Sequence, residues 1–144
     1  MKNVFLALLL IGCYSINGQD FKKLDDKSID TKQMEFAKKF ANAYFLKQIS
    51  GSYYQFNTDE ATDDMIRLLT AEKQKQAYTQ VKSGFGEFKS LAYAQAWSDS
   101  NSKMVIYRFT GIFGNGNKLE IRVVLNQQGK IAGLFIKPWA ENLQ

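Results

Sequence analysis

From Thr31 onward, apolar residues recur at three- and four-residue spacing: Met34, Ala37, Phe40, Ala41, Tyr44 and Phe45. Lys32, Glu35, Lys38, Lys39 and Asn42 fill the positions between them. That spacing predicts a helix with one buried face. Asp30 or Thr31 can cap its start, and Ser50-Gly51 marks its end. A short aromatic piece, Tyr53-Tyr54-Gln55-Phe56, leads into the polar loop Asn57-Thr58-Asp59-Glu60. A brief helix is predicted around 63–69. Thr70 then caps another over 71–83, with Ala77, Tyr78 and Val81 inward and Gly84 as its stop.

After Gly86 the helical period disappears. Residues 88–97 read as a strand, 98–102 as a turn and 103–113 as a second strand, and Gly114-Asn115-Gly116-Asn117 is a strong hairpin signal. Residues 118–125 alternate cleanly, Asn126-Gln127-Gln128-Gly129 turns again, and 130–137 form the last strand before the lone Pro138. Short connections imply a four-stranded antiparallel meander, and helices segregated from strands imply an α+β fold. If Phe113 sits opposite Asn117, then Val105, Tyr107, Phe109 and Phe113 share a face with Leu119, Ile121, Val123 and Leu125. A one-residue slip would set those aromatics beside Lys118 and Arg122, a poorer arrangement. Pairing Leu125 with Lys130 adds Ala132, Leu134 and Ile136 to the face that meets the helices.

The first eighteen residues read as an address. Lys2 precedes an eight-residue apolar run, 4–11, and a polar stretch ends at Gly18. This is the pattern of a secretory signal peptide, and the run is far short of the ~20 residues of a permanent membrane span. Cleavage after Gly18 leaves Gln19 first. Leu10-Ile11-Gly12-Cys13 offers a second possibility, a lipobox in which Cys13 carries lipid. The expected organisation is a signal peptide at 1–18, a flexible lead-in at 19–30 and one domain at 31–140, exported to the periplasm or beyond.

Composition narrows the chemistry. The chain of 144 residues is 45% apolar, enough for one core, and has one Cys and no His. Cys/His zinc sites and His-activated Ser or Cys nucleophiles are excluded. Losing Lys2 with the leader lowers the basic count from 19 to 18 against 14 acidic residues, a net +4 without a basic tract. A nucleic-acid partner is not expected. Asp59, Glu60, Asp63 and Asp64 are the one acidic cluster. They lack the Gly and terminal Glu of a calcium loop, and charge at a helix start suffices to explain them. Neither a metal nor a cofactor is expected.

The element order, with its "GSYYQF", "DEATDDMIRLLTAEK", "GFGEFKSL" and "QGKIAGLFIKP" segments, resembles the nuclear-transport-factor-2-like superfamily, the cystatin-like α+β cone. More narrowly, it is similar to secreted bacterial domains of unknown function found alone or ahead of hydrolase domains. The resemblance covers 31–138 and rests on Gly84, Gly86 and Phe88 and on the run from Gly129 to Leu134. It implies a cone of helices on a curved sheet, a cavity between them and a habit of pairing through the sheet. Enzymes of that superfamily usually place an Asp or His in the cone, and no catalytic residue carries over to this chain.

Two groups of candidate residues follow. Tyr53, Tyr54, Phe56, Tyr93, Trp97 and Tyr107 are expected to line a pocket, with Tyr93 and Trp97 on one side of their strand. Arg108 is expected opposite Arg122 on the outer sheet face, among Met104, Ile106, Ile112, Val124, Ile131 and Phe135. An apolar face with a basic centre suits an interface, with an anion or a neighbour's Glu120 offsetting the two guanidinium groups; a bulge that releases them to water is the other possibility. Glu87 and Glu120 are the only acidic residues in or beside the strands, and both sit next to Lys on a polar face. The expected function is therefore non-catalytic: binding a small apolar ligand in the cone, or a protein partner. An interaction module using the sheet face, including a homodimer, and a lyase- or isomerase-like enzyme in the cone are the alternatives.

Overall fold

The computed structural model describes residues 20–143. The expected signal peptide, its expected cleavage site after Gly18 and Cys13 lie outside the described residues. Strand β1 (Phe21–Lys23) and a single 3-10 turn (Asp26–Ser28) precede helices α1 (Thr31–Ile49), α2 (Asp63–Leu68) and α3 (Ala71–Phe85). Strands β2 (Phe88–Asp99), β3 (Val105–Phe113), β4 (Asn117–Leu125) and β5 (Ile131–Pro138) follow. They form one antiparallel sheet in the order β1-β2-β3-β4-β5, so the fold is α+β. Among the described residues, no helix is long and apolar enough to cross a membrane.

Each helix starts where a side chain can accept an orphan N–H. The Asp30 carboxylate accepts from the Lys32 and Gln33 amides at 3.0 and 3.1 Å. Thr62 accepts from Met65 and Thr70 from Lys73, both at 3.3 Å. Helix α3 runs one residue past Gly84 and stops at Gly86, whose φ is +93°. A Cβ on Gly86 would lie 2.5 Å from the Gly114 Cα. The junction of α3 and β2 thus rests directly on the β3–β4 hairpin, and Gly114 N–H donates to the Glu87 carbonyl at 2.8 Å.

The central register is as the pattern predicts: Phe113 faces Asn117, Phe109 faces Ile121 and Arg108 faces Arg122. The inner face carries Tyr107, Phe109, Phe113, Leu119, Ile121, Val123 and Leu125, all buried against Ala37, Phe40, Ala41, Tyr44 and Phe45 of α1. Phe45 stacks on Phe88 with ring centroids 4.6 Å apart.

Three expectations need correction. The sheet has five strands rather than four, because Phe21 and Lys23 of the lead-in pair with Asp99 and Trp97 along the free edge of β2. A bulge in β2 places Tyr93 opposite Phe109 but Gln95 opposite Arg108, leaving Ala94 unmatched. One extra residue reverses the side-chain parity, so Tyr93 packs on the inner core while Trp97 joins the outer face. In β5, Leu125 pairs with Ile131 rather than Lys130, and Val124 pairs with Gly133. The unmatched Ala132 turns outward, and Ile131, expected outside, is fully buried inside.

Candidate functional site

Among the pocket candidates, Tyr54 and Phe56 come together over α1. Phe40 meets the Tyr54 ring edge-on at 5.1 Å and lies 5.6 Å from Phe56, and Tyr54 and Phe56 are 5.0 Å apart. The segment that carries them has no regular structure, and Gln74 of α3 supplies the missing main-chain partner. Its Oε1 accepts from Tyr54 N–H at 2.8 Å and from Gln48 Nε2 at 2.9 Å. Its Nε2 donates to the Tyr54 and Leu69 carbonyls at 2.8 and 3.1 Å. All four hydrogen-bonding positions of the amide are used, which explains how a Gln can be only 1% exposed. Sequence reasoning passed over Gln48 and Gln74. The available signal was position, since each continues an apolar helix stripe, four residues after Tyr44 and four before Tyr78.

The Tyr54 hydroxyl donates to Glu60 Oε2 at 3.2 Å. Burial, then the charge and hydrogen bond of Glu60, push the Tyr54 pKa up to about 12. Tyr107 lies deeper in the fold, and its hydroxyl donates to Gln33 Oε1 at 3.2 Å. Burial first, and then the charge of Asp30, push this phenol up to about 12 as well. Tyr93 packs edge-on against Phe109 beside it. Tyr53 points away, 40% exposed, accepting a bond from Gln55. Trp97 is on the opposite side of the sheet. The six aromatics therefore do not line one pocket. Between sheet and helices the buried side chains form one contiguous apolar cluster.

An open groove of about 500 Å³ lies where these hydroxyl partners emerge. Its walls are Lys32, Gln33 and Phe36 from α1, Asn57, Asp59 and Glu60 from the loop, and Gln128 and Gly129 from the β4–β5 turn. Asn57 Oδ1 shapes the loop by accepting from the Asp59 and Glu60 amides, both at 3.0 Å. Main-chain bonds from Ile131 N–H to the Glu60 carbonyl (2.8 Å) and from Thr62 N–H to the Ile131 carbonyl (3.0 Å) stitch it to β5. Asp63 and Asp64 lie in the first turn of α2, where the helix dipole favours them. Among the described residues, no group of three His, Cys, Asp or Glu is placed to hold a metal.

On the outer face the two arginines meet neither an outside anion, nor a neighbour's Glu120, nor water. Arg108 and Glu120 are 0% exposed and Arg122 5%, and it is the chain's own Glu120 that joins the two arginines. Arg108 Nε donates to Glu120 Oε1 at 2.8 Å and Nη2 to Oε2 at 3.1 Å. Arg122 Nε and Nη2 both lie 2.8 Å from Oε1. Glu120 reaches both because residues two apart on β4 share a face and Arg108 lies diagonally across. Burial pushes the Glu120 carboxyl up, but the Arg108 hydrogen bonds and the Arg122 charge outweigh it and hold the group below the ordinary range. Phe135, opposite Arg122, packs with Met104, Ile106, Val124, Ala132, Phe21, Trp97 and Leu143 as a second apolar cluster. Residues 139–143 lie over this face, and Trp139 stacks on the Arg108 guanidinium at 4.9 Å.

No curated protein and no solved structure matches the chain. A family model described as "Protein of unknown function (DUF3887)" matches residues 43–134, from the middle of α1 into β5 and well over half of the sequence. The matched stretch carries the loop, the β4–β5 turn and the buried Arg108–Glu120–Arg122 cluster. On this evidence the chain belongs to the DUF3887 family, a family defined without an assigned activity.

Proposed function

We propose that the chain is an exported, non-catalytic binding domain that takes a small polar ligand at the groove between the start of α1, the 57–60 loop and the β4–β5 turn. The observation that carries this reading is the groove's lining. Its volume of about 500 Å³ suits a small molecule, and its walls are amides, carboxylates and one Lys around a single aromatic, Phe36. Such walls offer hydrogen-bond partners to hydroxyl, amide or zwitterionic groups, while Phe36 and the side-chain stems give the groove apolar surface as well. The buried aromatics between sheet and helices pack on one another, which favours a ligand at the groove over one in the interior. The finer fold reading, a nuclear-transport-factor-2-like cone, rests on the order of helices before an antiparallel meander. Export rests on the leader pattern of residues 1–18. The intact mass of the secreted protein tests it, with Gln19 expected first and lipid on Cys13 the contrary result.

A non-catalytic role is supported by the two buried carboxylates. Asp99 is held low by its Ser102 hydrogen bonds, and Glu120 is held low by its arginines. A general acid needs the reverse, a carboxyl raised by an apolar site. The lyase- or isomerase-like alternative would rest on the Tyr54–Glu60 pair, the one phenol–carboxylate contact at the groove among the described residues.

Amide-detected NMR titration with amino acids, dipeptides and monosaccharides tests the binding reading. Saturable shifts of the Gln33 and Gln128 side-chain amides and of Gly129, lost in Gln33→Ala, are expected. Shifts confined to the inner aromatics with a fatty-acid probe, or no groove shift with any polar probe, would overturn it.

A further inference from the structure

Arg108 has five N–H donors, and all five are used on the outer face of the sheet. Two go to Glu120 and one to Gln95 Oε1. The remaining two go to the carbonyls of Ala140 and Glu141, in the segment that follows β5. Gln95 Nε2 adds a bond to the Glu141 carbonyl at 3.3 Å. Trp139 lies over the guanidinium, and Leu143 packs on the apolar cluster. Residues 139–143 belong to no helix or strand, and among the described residues their backbone makes no main-chain hydrogen bond. The segment is therefore held as a peptide ligand is held, by side chains that read successive carbonyls and an aromatic anchor.

Charge points the same way. Around the segment, Arg108, Arg122 and Lys137 stand beside Glu120 on this face, and residues 139–144 contain Glu141 and no basic residue. We propose that the outer face is a binding site for an extended aromatic–acidic segment of a partner protein, and that the chain's own residues 139–143 hold it closed as a built-in competitor. The matching feature in the partner is an aromatic residue followed by two residues whose carbonyls reach the two Arg108 donors. A tail tethered through Pro138 competes at an effective concentration in the millimolar range, so a partner binds well only when the tail is weakened or outbid. This site lies on the face of the sheet away from the groove, and it stands or falls independently of the groove's ligand.

The experiment uses the full chain and a fluorescent peptide of residues 138–144, PWAENLQ, followed by anisotropy. The unaltered chain should bind it weakly. Trp139→Ala, which loosens the partly buried anchor of the tethered segment, should bind at least about tenfold more tightly. A peptide with its own tryptophan replaced by alanine should lose at least about tenfold, a control that leaves the protein untouched. Equal binding of the two peptides, no gain in Trp139→Ala, or a variant that no longer folds by circular dichroism would each overturn the proposal. A doubled mass of the unaltered chain by light scattering at ~100 µM, abolished in Trp139→Ala, would assign the site to the tail of a second copy and overturn the partner assignment.

Discussion

Replacing Glu120 by Gln keeps the side chain's shape and removes its charge, leaving Arg108 and Arg122 opposed and buried. Their nitrogens each lie 2.8 Å from the same carboxylate oxygen, so they are at most twice that distance apart. At roughly 5.5 Å and an effective dielectric near 20, two positive charges repel by about 3 kcal/mol. The amide oxygen of Gln still accepts one bond, while its NH2 group faces guanidinium donors that it cannot serve. Removing one partner from a buried ion cluster costs about 3–5 kcal/mol in general, and the repulsion worked here sits at the low end of that range. For a domain of this length each kcal/mol moves the melting temperature by roughly 3–5 °C, so Glu120→Gln should melt about 10–20 °C lower. Urea unfolding at neutral pH measures the same loss directly. A change under about 1 kcal/mol would refute the reasoning and mean that the cluster behaves like an exposed pair. The pH dependence gives a second check. Glu120 is held below its ordinary pKa in the folded chain. Its contribution is therefore complete above the unfolded value near 4.3 and is lost as pH falls through the folded one. Glu120→Gln should accordingly be less sensitive to acid than the parent chain.

Gln74→Leu strands the Tyr54 amide and carbonyl, the Leu69 carbonyl and Gln48 Nε2. A loss of about 2–4 kcal/mol in urea is expected, with faster hydrogen exchange at Tyr54. Gly86→Ala combines a φ of +93° with a Cβ placed 2.5 Å from backbone, and should lose well over about 1 kcal/mol by the same assay. Phe40→Ala, emptying the ring that touches Tyr54 and Phe56, should cost about 3–5 kcal/mol. Tyr54 and Tyr107 both titrate near 12 when folded, so stability complete below about pH 10 should fall as pH rises toward 12. Tyrosinate absorbance that rises fully at the ordinary phenol pKa, before unfolding, would contradict this.

Much of the fold is legible because parity is a strong constraint. The alternation of Leu119, Ile121, Val123 and Leu125, joined to a Gly-Asn-Gly hairpin, leaves one register that buries both strands, and Arg108 then meets Arg122 without further information. Caps at Asp30 and Thr70 are local chemistry and equally readable, whereas the Thr62 cap of α2 went unread. The site was less legible. Tyr54 and Tyr107 are recognisable as aromatics, but their partners Glu60 and Gln33 lie in other segments, and only tertiary packing brings Gln33 to the 57–60 loop.

The features that the pattern missed have one physical origin. A bulge is a single unmatched residue: a period-two reading carried through Ala94 puts Trp97 on the wrong face, and one carried through Ala132 misplaces Ile131 and Ala132 while leaving Leu134 and Ile136 correctly inside. Trp97 and Ala132 are the residues those two bulges turn outward, and both enter the cluster of Met104, Ile106 and Val124. Phe21, from a strand too short to alternate visibly, joins them, and so does Leu143 of the tail. Each contribution is a single residue from a segment distant in sequence, so no local window contains the cluster. Its consequence is electrostatic. By covering the outer face with apolar groups and a tail, the chain withdraws Arg108, Arg122 and Glu120 from water, and only then does the in-strand pair Glu120 and Arg122, readable from spacing alone, become a buried network rather than a solvated one.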